Sequence, residues 1–395
     1  MVRARHQLSA VSPSPSPFSR EPPPFPPIVM AAACVEAPAG VARHHAAGVA
    51  RRTRTHCPSP VLAMAAACVE APAGAGAARH HAAAQPARKR TRVAMGSTDD
   101  YDYEDACRLG EGTFGAVIRA RHRGTGQAVA MKFLGDDGGG HEALLRESLL
   151  LEAASAGNQF VVGSRGLARD PATWELCLVM DYGGSSLRDA LRSQPGPLPE
   201  STVRAAMWEL LTGAKGMHAA HIMHRDIKPH NILLGDDRVL RLCDLGLAVH
   251  MSEPPPYGKA GTLWYMAPEV LLGKPDYDAL VDVWSLGCVM AELVTGKAPF
   301  RGEDEEDQLC AIFGVLGFPD DTTWPWFSST QFAAELPELD DKQRRKLGSV
   351  LRCKFPETRL SKEGFDLLSG LLTCNPDERL AAAAALKHPW FSRMD

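Results

Sequence analysis

Residues 224–231 read His-Arg-Asp-Ile-Lys-Pro-His-Asn, and thirteen positions after Asn231 the chain reads Asp-Leu-Gly at 244–246. These segments read as adjacent loops that bring together two carboxylates, a lysine and an amide, from Asp226, Lys228, Asn231 and Asp244. Phosphoryl transfer uses that set, because one carboxylate orients the attacking hydroxyl, the lysine offsets charge on the phosphate in flight, and the amide and second carboxylate hold Mg²⁺. Asp-x-Lys-x-x-Asn alone is a weak pattern, but His-Arg before it and Asp-x-Gly after it make it strong.

Two upstream elements follow the order that this chemistry requires. Residues 109–117 read Leu-Gly-Glu-Gly-Thr-Phe-Gly-Ala-Val, a glycine-rich stretch for which a simple hairpin turn is the default interpretation. The next element, Ala128–Phe133, is predicted to be an alternating strand that carries Lys132. A lysine is disfavoured there unless its ammonium has partners. Phosphates are one candidate, and Glu147 on a predicted helix over residues 142–153 is the other.

From about Tyr103 to Phe391, roughly three quarters of its length, the chain resembles a eukaryotic protein kinase, and most of all the cyclin-dependent kinase family. The narrower resemblance rests on several further stretches, namely residues 110–115, 262–273 (Thr-Leu-Trp-Tyr-Met-Ala-Pro-Glu-Val-Leu-Leu-Gly), 282–288, 302–309, 312–313, 316–317 and 324–325. It implies an α+β, two-lobed protein kinase fold over residues 103–391. A small β-rich N-lobe would span 103–181 and a larger helical C-lobe 184–391. The lobes would meet at a glycine-containing hinge over residues 180–184, with the nucleotide in the cleft.

The resemblance assigns chemistry to the catalytic loop and names the acceptor. Asp226 is the base or hydroxyl-orienting group and Lys228 stabilises the transferring phosphoryl group. Asn231 and Asp244 bind Mg²⁺. A lysine two positions after the base, bridging toward a threonine of the activation segment (here Thr262), is typical of serine/threonine kinases. The acceptor is therefore expected to be a Ser or Thr hydroxyl of a protein substrate.

The resemblance also assigns the ATP-binding residues. Lys132 binds the α- and β-phosphates, and Glu147 holds it in place. Backbone groups of Asp181 and Gly183 bond the edge of the adenine, and Met180 is the gatekeeper. The glycine-rich loop covers the phosphates with Leu109, Gly110, Glu111, Gly112, Thr113, Phe114, Gly115, Ala116 and Val117. The adenine is sandwiched by Leu109, Val117, Ala130 and Leu233.

Each of these residues also has a purely structural interpretation. Lys132 suits a strand end, Asp226 a turn cap and Asp244 a turn beside Gly246, and Cys243 fits a small core position better than a reactive thiol. Their joint order and spacing favour a catalytic set.

Two rival classes of function remain. One is a catalytically silent pseudokinase scaffold, whose usual mark is loss of the strand lysine or a loop aspartate. The other is a small-molecule kinase, which the long C-lobe and the Ala-Pro-Glu at 267–269 disfavour. In that segment, Glu269 is expected to pair with Arg379.

The chain departs from the family where activation is concerned. The helix that contacts the cyclin keeps only the Arg146-Glu147 end of its motif, which puts a cyclin partner in doubt. The usual activating threonine falls on Tyr257, and Ser252 is the only Ser or Thr between Asp244 and Thr262. In the family a cluster of three arginines receives the activating phosphate; here Arg146 and Arg225 remain, but the third position is Val249. Met266 replaces an arginine that shapes the preference for proline after the acceptor. We expect a competent kinase that is not activated by the usual phosphothreonine.

Composition separates a tail from the body. Residues 1–98 hold 12 Lys/Arg against 3 Asp/Glu, whereas the rest is acidic, within a total net charge of −4. The ten cysteines show no metal-ligand spacing and suit a reducing compartment. No run of 18 apolar residues occurs, so no membrane span is predicted. Direct binding of nucleic acid is not expected either.

The tail, residues 1–100, is predicted to be a disordered low-complexity extension. The stretch at 30–40 recurs at 64–74, and such proline-rich copies cannot bury a core. Met95 is a candidate second start site. The basic cluster at 88–92, Arg-Lys-Arg-Thr-Arg, is of the nuclear-import type, although many such clusters are merely solvated and an organelle transit peptide is also compatible with the composition. A nuclear or cytoplasmic location, or both, is expected.

Overall fold

The computed structural model describes residues 93–112, 115–134, 140–336 and 350–393, and within these ranges it excludes the side chains of 104–107, 111–112 and 393. The predictions for residues 1–92, Thr113 and Phe114 lie outside the described residues, and those for Glu111 and Gly112 are reached only through the backbone. No helix of the described part has the length and apolar character to cross a membrane.

The strands fall mostly in the first third of the described chain. They are β1 (Met95–Ser97), β2 (Tyr101–Gly112), β3 (Gly115–His122), β4 (Ala128–Phe133), β5 (Ser164–Arg169), β6 (Leu176–Asp181), β7 (Ser185–Ser186), β8 (Ile222–Met223), β9 (Ile232–Leu234), β10 (Leu240–Leu242) and β11 (Val249–His250). In the described residues β1 to β6 form one six-stranded sheet in the order β1-β5-β6-β4-β3-β2. This sheet with one helix is the predicted N-lobe.

The helices are α1 (Gly140–Ser155), α2 (Leu187–Ser193), α3 (Glu200–Ala219), α4 (Pro268–Leu271), α5 (Leu280–Thr295), α6 (Glu305–Leu316), α7 (Pro325–Ser328), α8 (Gln331–Glu335), α9 (Val350–Lys354), α10 (Lys362–Leu371) and α11 (Ala382–Ala385). All but α1 follow β7, so the C-lobe is helical as predicted. The fold is the two-lobed kinase architecture.

Strand β4 carries Lys132 and is buried on both faces. Ala130 faces the main core, whereas Val129 and Met131 belong to a second apolar cluster on the other side of the sheet. The predicted alternation of buried and exposed residues is therefore wrong for this strand. It is central in the sheet, with β3 on one side and β6 on the other, and both of its faces are covered.

Helix α5 is apolar on nearly every face and lies at the centre of the C-lobe. Thirteen of its residues are buried, Trp284 among them. It ends at Gly296, which adopts a left-handed φ of 77° that suits glycine. Against this rigid helix pack α3 and α10, which makes α5 the support for the loops above it.

The folded part begins upstream of the boundary that composition predicted. Met95–Ser97 form β1 and pair in parallel with Leu167–Arg169 of β5. The amide of Leu167 also donates to the carbonyl of Ala94 at 2.8 Å. Residues 95–100 therefore do not belong to a disordered tail. Main-chain hydrogen bonds hold this strand, and they leave no trace in amino-acid composition.

Candidate active site

Lys132 on β4 is held between two carboxylates from distant parts of the chain. Its Nζ lies 2.8 and 2.9 Å from the two carboxylate oxygens of Glu147 on α1 and 2.8 Å from Oδ1 of Asp244. The Lys132 and Glu147 side chains are only 7% and 6% exposed, whereas Asp244 is 39% exposed toward the cleft. The predicted Lys132–Glu147 contact is present, and Asp244 joins the C-lobe to it.

The charges in this cluster depend on one another. Burial acts to lower the pKa of Lys132, but the carboxylates of Glu147 and Asp244 outweigh it and raise that pKa. Burial raises the pKa of Glu147, although Lys132 opposes the shift. Burial acts to raise the pKa of Asp244, but the charge and hydrogen bond of Lys132, together with His224 and the N–H of Gly246, outweigh it and lower that pKa. The lysine is therefore a fixed cation, and Asp244 is an anion at neutral pH.

A second network joins the catalytic loop to the activation segment. The Asp226 carboxylate accepts hydrogen bonds from Thr262 Oγ1 (2.7 Å) at Oδ1, and from Lys228 Nζ (2.8 Å) and Asn231 Nδ2 (3.0 Å) at Oδ2. Lys228 Nζ also donates to Thr262 Oγ1 at 2.7 Å, which is the bridge expected from the sequence. Asp226 is buried, so these bonds fix its orientation.

Asp282 on α5 anchors the backbone of the catalytic loop. Its Oδ2 and Oδ1 accept the main-chain N–H groups of His224 (2.9 Å) and Arg225 (2.8 Å), and His218 Nε2 lies 2.9 Å from Oδ2. Burial acts to raise the pKa of Asp282, but His218 and the other donors outweigh it and lower that pKa. Arg225 adopts a left-handed φ of 68°, a strained conformation of the kind found at functional sites.

Sequence reasoning missed this anchor as a functional feature. A single carboxylate near the start of an otherwise apolar helix was the available signal, because a buried charge must have partners. Nothing in the sequence named His218 as one of them. The partner is 64 residues away and is brought there by the packing of α3 on α5.

Asn231 and Asp244 fit the predicted metal site by their chemistry. Nδ2 of Asn231 donates to the Asp226 carbonyl (2.9 Å) as well as to its carboxylate, which leaves Oδ1 available as a ligand. Asp244 has a left-handed φ of 64° and an exposed carboxylate edge. No group of three or more His, Cys, Asp and Glu with metal-binding geometry occurs in the described part of the chain.

The glycines of the phosphate loop have different roles. Space is open around Gly110, where a Cβ would meet nothing within 4 Å. At Gly115, by contrast, φ is 124° and a Cβ would lie 1.9 Å from the carbonyl oxygen of Phe133. Gly115 is therefore required by the close approach of β3 to β4 as well as by any approach of phosphate.

The predicted adenine residues come from both lobes. Ala130 on β4 is paired with Met180 on β6, while Leu233 lies on β9 of the C-lobe beside Gly183. A Cβ on Gly183 would lie 2.6 Å from Leu233, so these two positions are in direct contact. The remaining two apolar positions, Leu109 and Val117, lie on β2 and β3.

One backbone group of the hinge residue Asp181, its N–H, is already hydrogen-bonded within the protein. Its N–H donates to the carbonyl of Gly163 at 2.9 Å, and its carboxylate accepts from Arg165 Nε at 2.6 Å. The predicted backbone contact with adenine can therefore involve its carbonyl and not its N–H.

Structural residues support the site as the sequence predicted. Arg379 pairs with Glu269 through Nη1–Oε1 (2.7 Å) and Nη2–Oε2 (2.8 Å), and both side chains are fully buried. Cys243 is buried, and burial raises the pKa of its thiol, which agrees with a core role. Its carbonyl lies 3.0 Å from Nε2 of His224 and so ties the catalytic loop to the strand that precedes Asp244.

A cavity of about 760 Å³ lies away from this site and is lined by residues of the N-lobe. Its walls include Tyr101, Tyr103 and Arg121, and its charged groups are partly neutralised, as in the 2.9 Å pair of Arg123 with Asp102. None of the predicted catalytic or ATP-binding side chains lines it, so we assign it no part in the chemistry.

Comparison with known proteins agrees with this architecture. The sequence model of the protein kinase domain family matches residues 103–391. "Putative cyclin-dependent kinase F-2" of Oryza sativa subsp. japonica is 43% identical over 305 residues, which cover 74% of this chain and 90% of that protein. "Cell division control protein 2 homolog 3" of Trypanosoma brucei brucei is 38% identical over 307 residues, 76% of this chain and 96% of that protein. "Cyclin-dependent kinase G-2" of Oryza sativa subsp. indica is 35% identical over 318 residues, 78% of this chain but 44% of that longer protein.

A two-lobed fold with a buried Lys–Glu pair beside an Asp-Lys-Asn loop defines a protein kinase. The chain belongs to the protein kinase domain family, as a serine/threonine kinase of the cyclin-dependent-kinase-like type. The predictions of fold and enzyme class are confirmed. The roles of individual site residues stay predictions.

Proposed function

We propose that the chain transfers the γ-phosphate of ATP to Ser or Thr hydroxyls of protein substrates, with Mg²⁺ held by Asn231 and Asp244. The observation that carries the proposal is the link between the two networks. Lys132 bonds Asp244, and the N–H of the adjacent Cys243 donates at 3.0 Å to the carbonyl of Asn231, whose side chain bonds Asp226. Mg²⁺ supplies charge neutralisation on the phosphates. Lys132 would bind the α- and β-phosphates, and the cluster of Asp244 and Glu147 sets its position.

The catalytic loop supplies the groups at the acceptor. Asp226 is oriented by its hydrogen-bond donors and would accept the proton of the Ser or Thr hydroxyl. Lys228 stays within reach of both Asp226 and Thr262 and places a positive charge beside the transferring group. This preorganised charge is the main means by which such sites stabilise a phosphoryl-transfer transition state.

The proposal is tested with purified full-length protein, labelled ATP with Mg²⁺, and a generic Ser/Thr protein substrate. Asp226→Asn, which keeps the shape of the side chain and removes the carboxylate that would take the proton, is the matched variant. Labelled phosphoserine or phosphothreonine with wild type and its loss with Asp226→Asn is the expected result. Equal background labelling by both proteins, with ATP binding intact, would favour the scaffold alternative instead.

A cyclin partner is a separate proposal. The names of the curated relatives include cyclin-dependent kinases. Helix α1 exposes Leu145 and Leu149, 43% and 37% accessible and one helical turn apart, which is an apolar surface of the kind that a protein partner covers. Pull-down from a cell extract with wild type and with Leu145→Ser/Leu149→Ser is the test. A cyclin-type subunit retained by wild type and lost from the variant supports the proposal, and its absence from both contradicts it.

We also propose nuclear import through the basic cluster at 88–92, on the evidence of its sequence alone. A fluorescent fusion of the full chain is compared with one in which Arg88, Lys89 and Arg90 are changed to alanine. Equal nuclear signal from the two would contradict the proposal.

A further inference from the structure

An ion pair joins helix α1 to the activation segment. Arg146 Nη2 lies 2.8 and 3.1 Å from the carboxylate oxygens of Glu253, and it also approaches the carbonyl of Ala248 at 3.4 Å. Arg146 directly precedes Glu147, the partner of Lys132. A displacement of Glu253 would therefore act on the helix turn that positions the catalytic lysine.

Glu253 is held within its own segment from three directions. The N–H of His250 donates to Glu253 Oε1 (3.1 Å), and the Glu253 N–H donates back to the His250 carbonyl (2.8 Å). Its carbonyl accepts the Tyr257 hydroxyl at 2.8 Å. The Tyr257 ring in turn packs against Tyr277, with centroids 5.4 Å apart. The carboxylate is therefore presented to Arg146 by a folded turn.

The surrounding charges suit one carboxylate better than a phosphate. Arg146, Glu253 and Arg225 line one cavity of about 320 Å³. The guanidinium of Arg225 is bonded to neutral acceptors there, namely the carbonyls of Leu247 (2.7 Å) and Gly258 (3.3 Å) and the hydroxyl of Tyr277 (2.9 Å). Lys259 pairs with Glu305 on α6.

The residues at two further positions also suit a carboxylate better than a phosphate. Val249 is a buried residue of β11, at the place where a third arginine would be needed for a phosphate. Ser252, the nearby hydroxyl, bonds Nδ1 of His250 at 2.7 Å. Among the residues that the structure describes, Arg146 is the arginine that bonds Glu253, and its one positive charge matches the one negative charge of that carboxylate.

We infer that Glu253 is a positioning residue, which holds α1 and the activation segment in their active relation through Arg146 without any phosphorylation. The inference rests on the kinase activity proposed above and deepens it by naming how that activity is switched on. The pair is half exposed, at 47% and 43%, so its effect is modest and sensitive to salt.

The test compares full-length wild type with Glu253→Gln and with Glu175→Gln, a matched change at an exposed glutamate on the N-lobe surface. The intact mass of the wild type is measured first, and we expect an active protein that carries no phosphate. We expect Glu253→Gln to lower kcat/KM about fivefold, since a surface pair of this kind contributes up to about that factor. The wild-type to variant ratio should shrink toward one at about 1 M salt, where the screening length is only about 3 Å. Glu175→Gln should match wild type throughout.

A double-mutant cycle separates the pair from general damage. Because Arg146→Gln and Glu253→Gln break the same contact, the double variant should lose no more activity than either single one. Hydrogen exchange of residues 140–155 gives a readout independent of catalysis, and it should be faster in Glu253→Gln than in Glu175→Gln.

Additive losses, unchanged exchange in α1, or loss of wild-type activity on phosphatase treatment would overturn the inference. Wild type that is inactive toward every Ser/Thr substrate would overturn the proposed function, and the exchange experiment would still decide the role of the pair.

Discussion

Thr262 on the activation segment donates a hydrogen bond of 2.7 Å to Oδ1 of Asp226 on the catalytic loop, while accepting one of 2.7 Å from Lys228. One hydroxyl thus completes a closed arrangement with a carboxylate and an ammonium. The arrangement exists only when the activation segment lies against the catalytic loop.

Thr262→Val keeps the shape of this side chain and removes both hydrogen bonds. We expect kcat to fall by roughly 10- to 100-fold, because small misplacement of a catalytic carboxylate is costly, while the unfolding free energy changes by about 1 kcal/mol. Thr262→Ser restores the hydroxyl and is the control. Steady-state kinetics on a peptide substrate give the measurement, and wild-type kcat in the valine variant would show that the hydroxyl does not act on Asp226.

The ammonium of Lys132 gives a second prediction. Lys132→Met removes a charge that Glu147 and Asp244 share, and we expect kcat/KM to fall at least about 100-fold. The rise in Tm that ATP with Mg²⁺ produces in wild type should shrink as well, because ligand-induced stabilisation follows affinity. Lys215→Met, a change at an exposed lysine of α3, should leave both quantities as they are. An ATP-induced Tm rise in Lys132→Met equal to that of wild type would remove Lys132 from the ATP site.

The sequence predicted the Lys132–Glu147 contact and named Asp244 as a site residue, because the spacing pattern is local to each segment; the bond between Lys132 and Asp244 was not predicted. Lys132 lies on the predicted strand, Glu147 on the predicted helix, and Asp244 directly precedes the Leu245-Gly246 pair. What spacing could not supply is the partner of each group across the fold. Arg146 and Glu253 are 107 residues apart, and neither belongs to the catalytic motifs. The same holds for β1, because parallel pairing with β5 uses main-chain groups that every sequence possesses.

The buried pair of Glu269 and Arg379 leads to a prediction about stability. Arg379→Met leaves the Glu269 carboxylate buried without its partner, and we expect a loss of about 3–5 kcal/mol in unfolding free energy. The double variant Glu269→Met/Arg379→Met should be more stable than the sum of the single changes implies. Chemical denaturation supplies the values.

Arg352→Met is the matched surface control for that experiment. Arg352 lies 2.6 Å from its partner Glu357, whose side chain is 72% exposed. The expected loss of unfolding free energy is therefore about 1 kcal/mol or less. A cost for Arg379→Met no larger than that of Arg352→Met would contradict a stabilising role for the buried pair.

Glu209 on α3 predicts a pH dependence of stability that is independent of catalysis. Its Oε2 accepts the N–H of Leu240 at 2.9 Å, and burial raises its pKa to about 7 against the opposing effect of that bond. In the unfolded chain a glutamate releases its proton near pH ~4.3. Between these values the folded protein keeps a proton that the unfolded chain has lost, so stability falls as pH rises through this window.

Glu209→Gln keeps an oxygen acceptor and cannot ionise. Relative to wild type it should gain roughly 2 kcal/mol in unfolding free energy from about pH 5 to about pH 8. Denaturation at both pH values, with Glu306→Gln on the exposed face of α6 as control, checks this. An equal difference between wild type and Glu209→Gln at the two pH values would mean that the carboxyl is already ionised at about pH 5 in the folded protein.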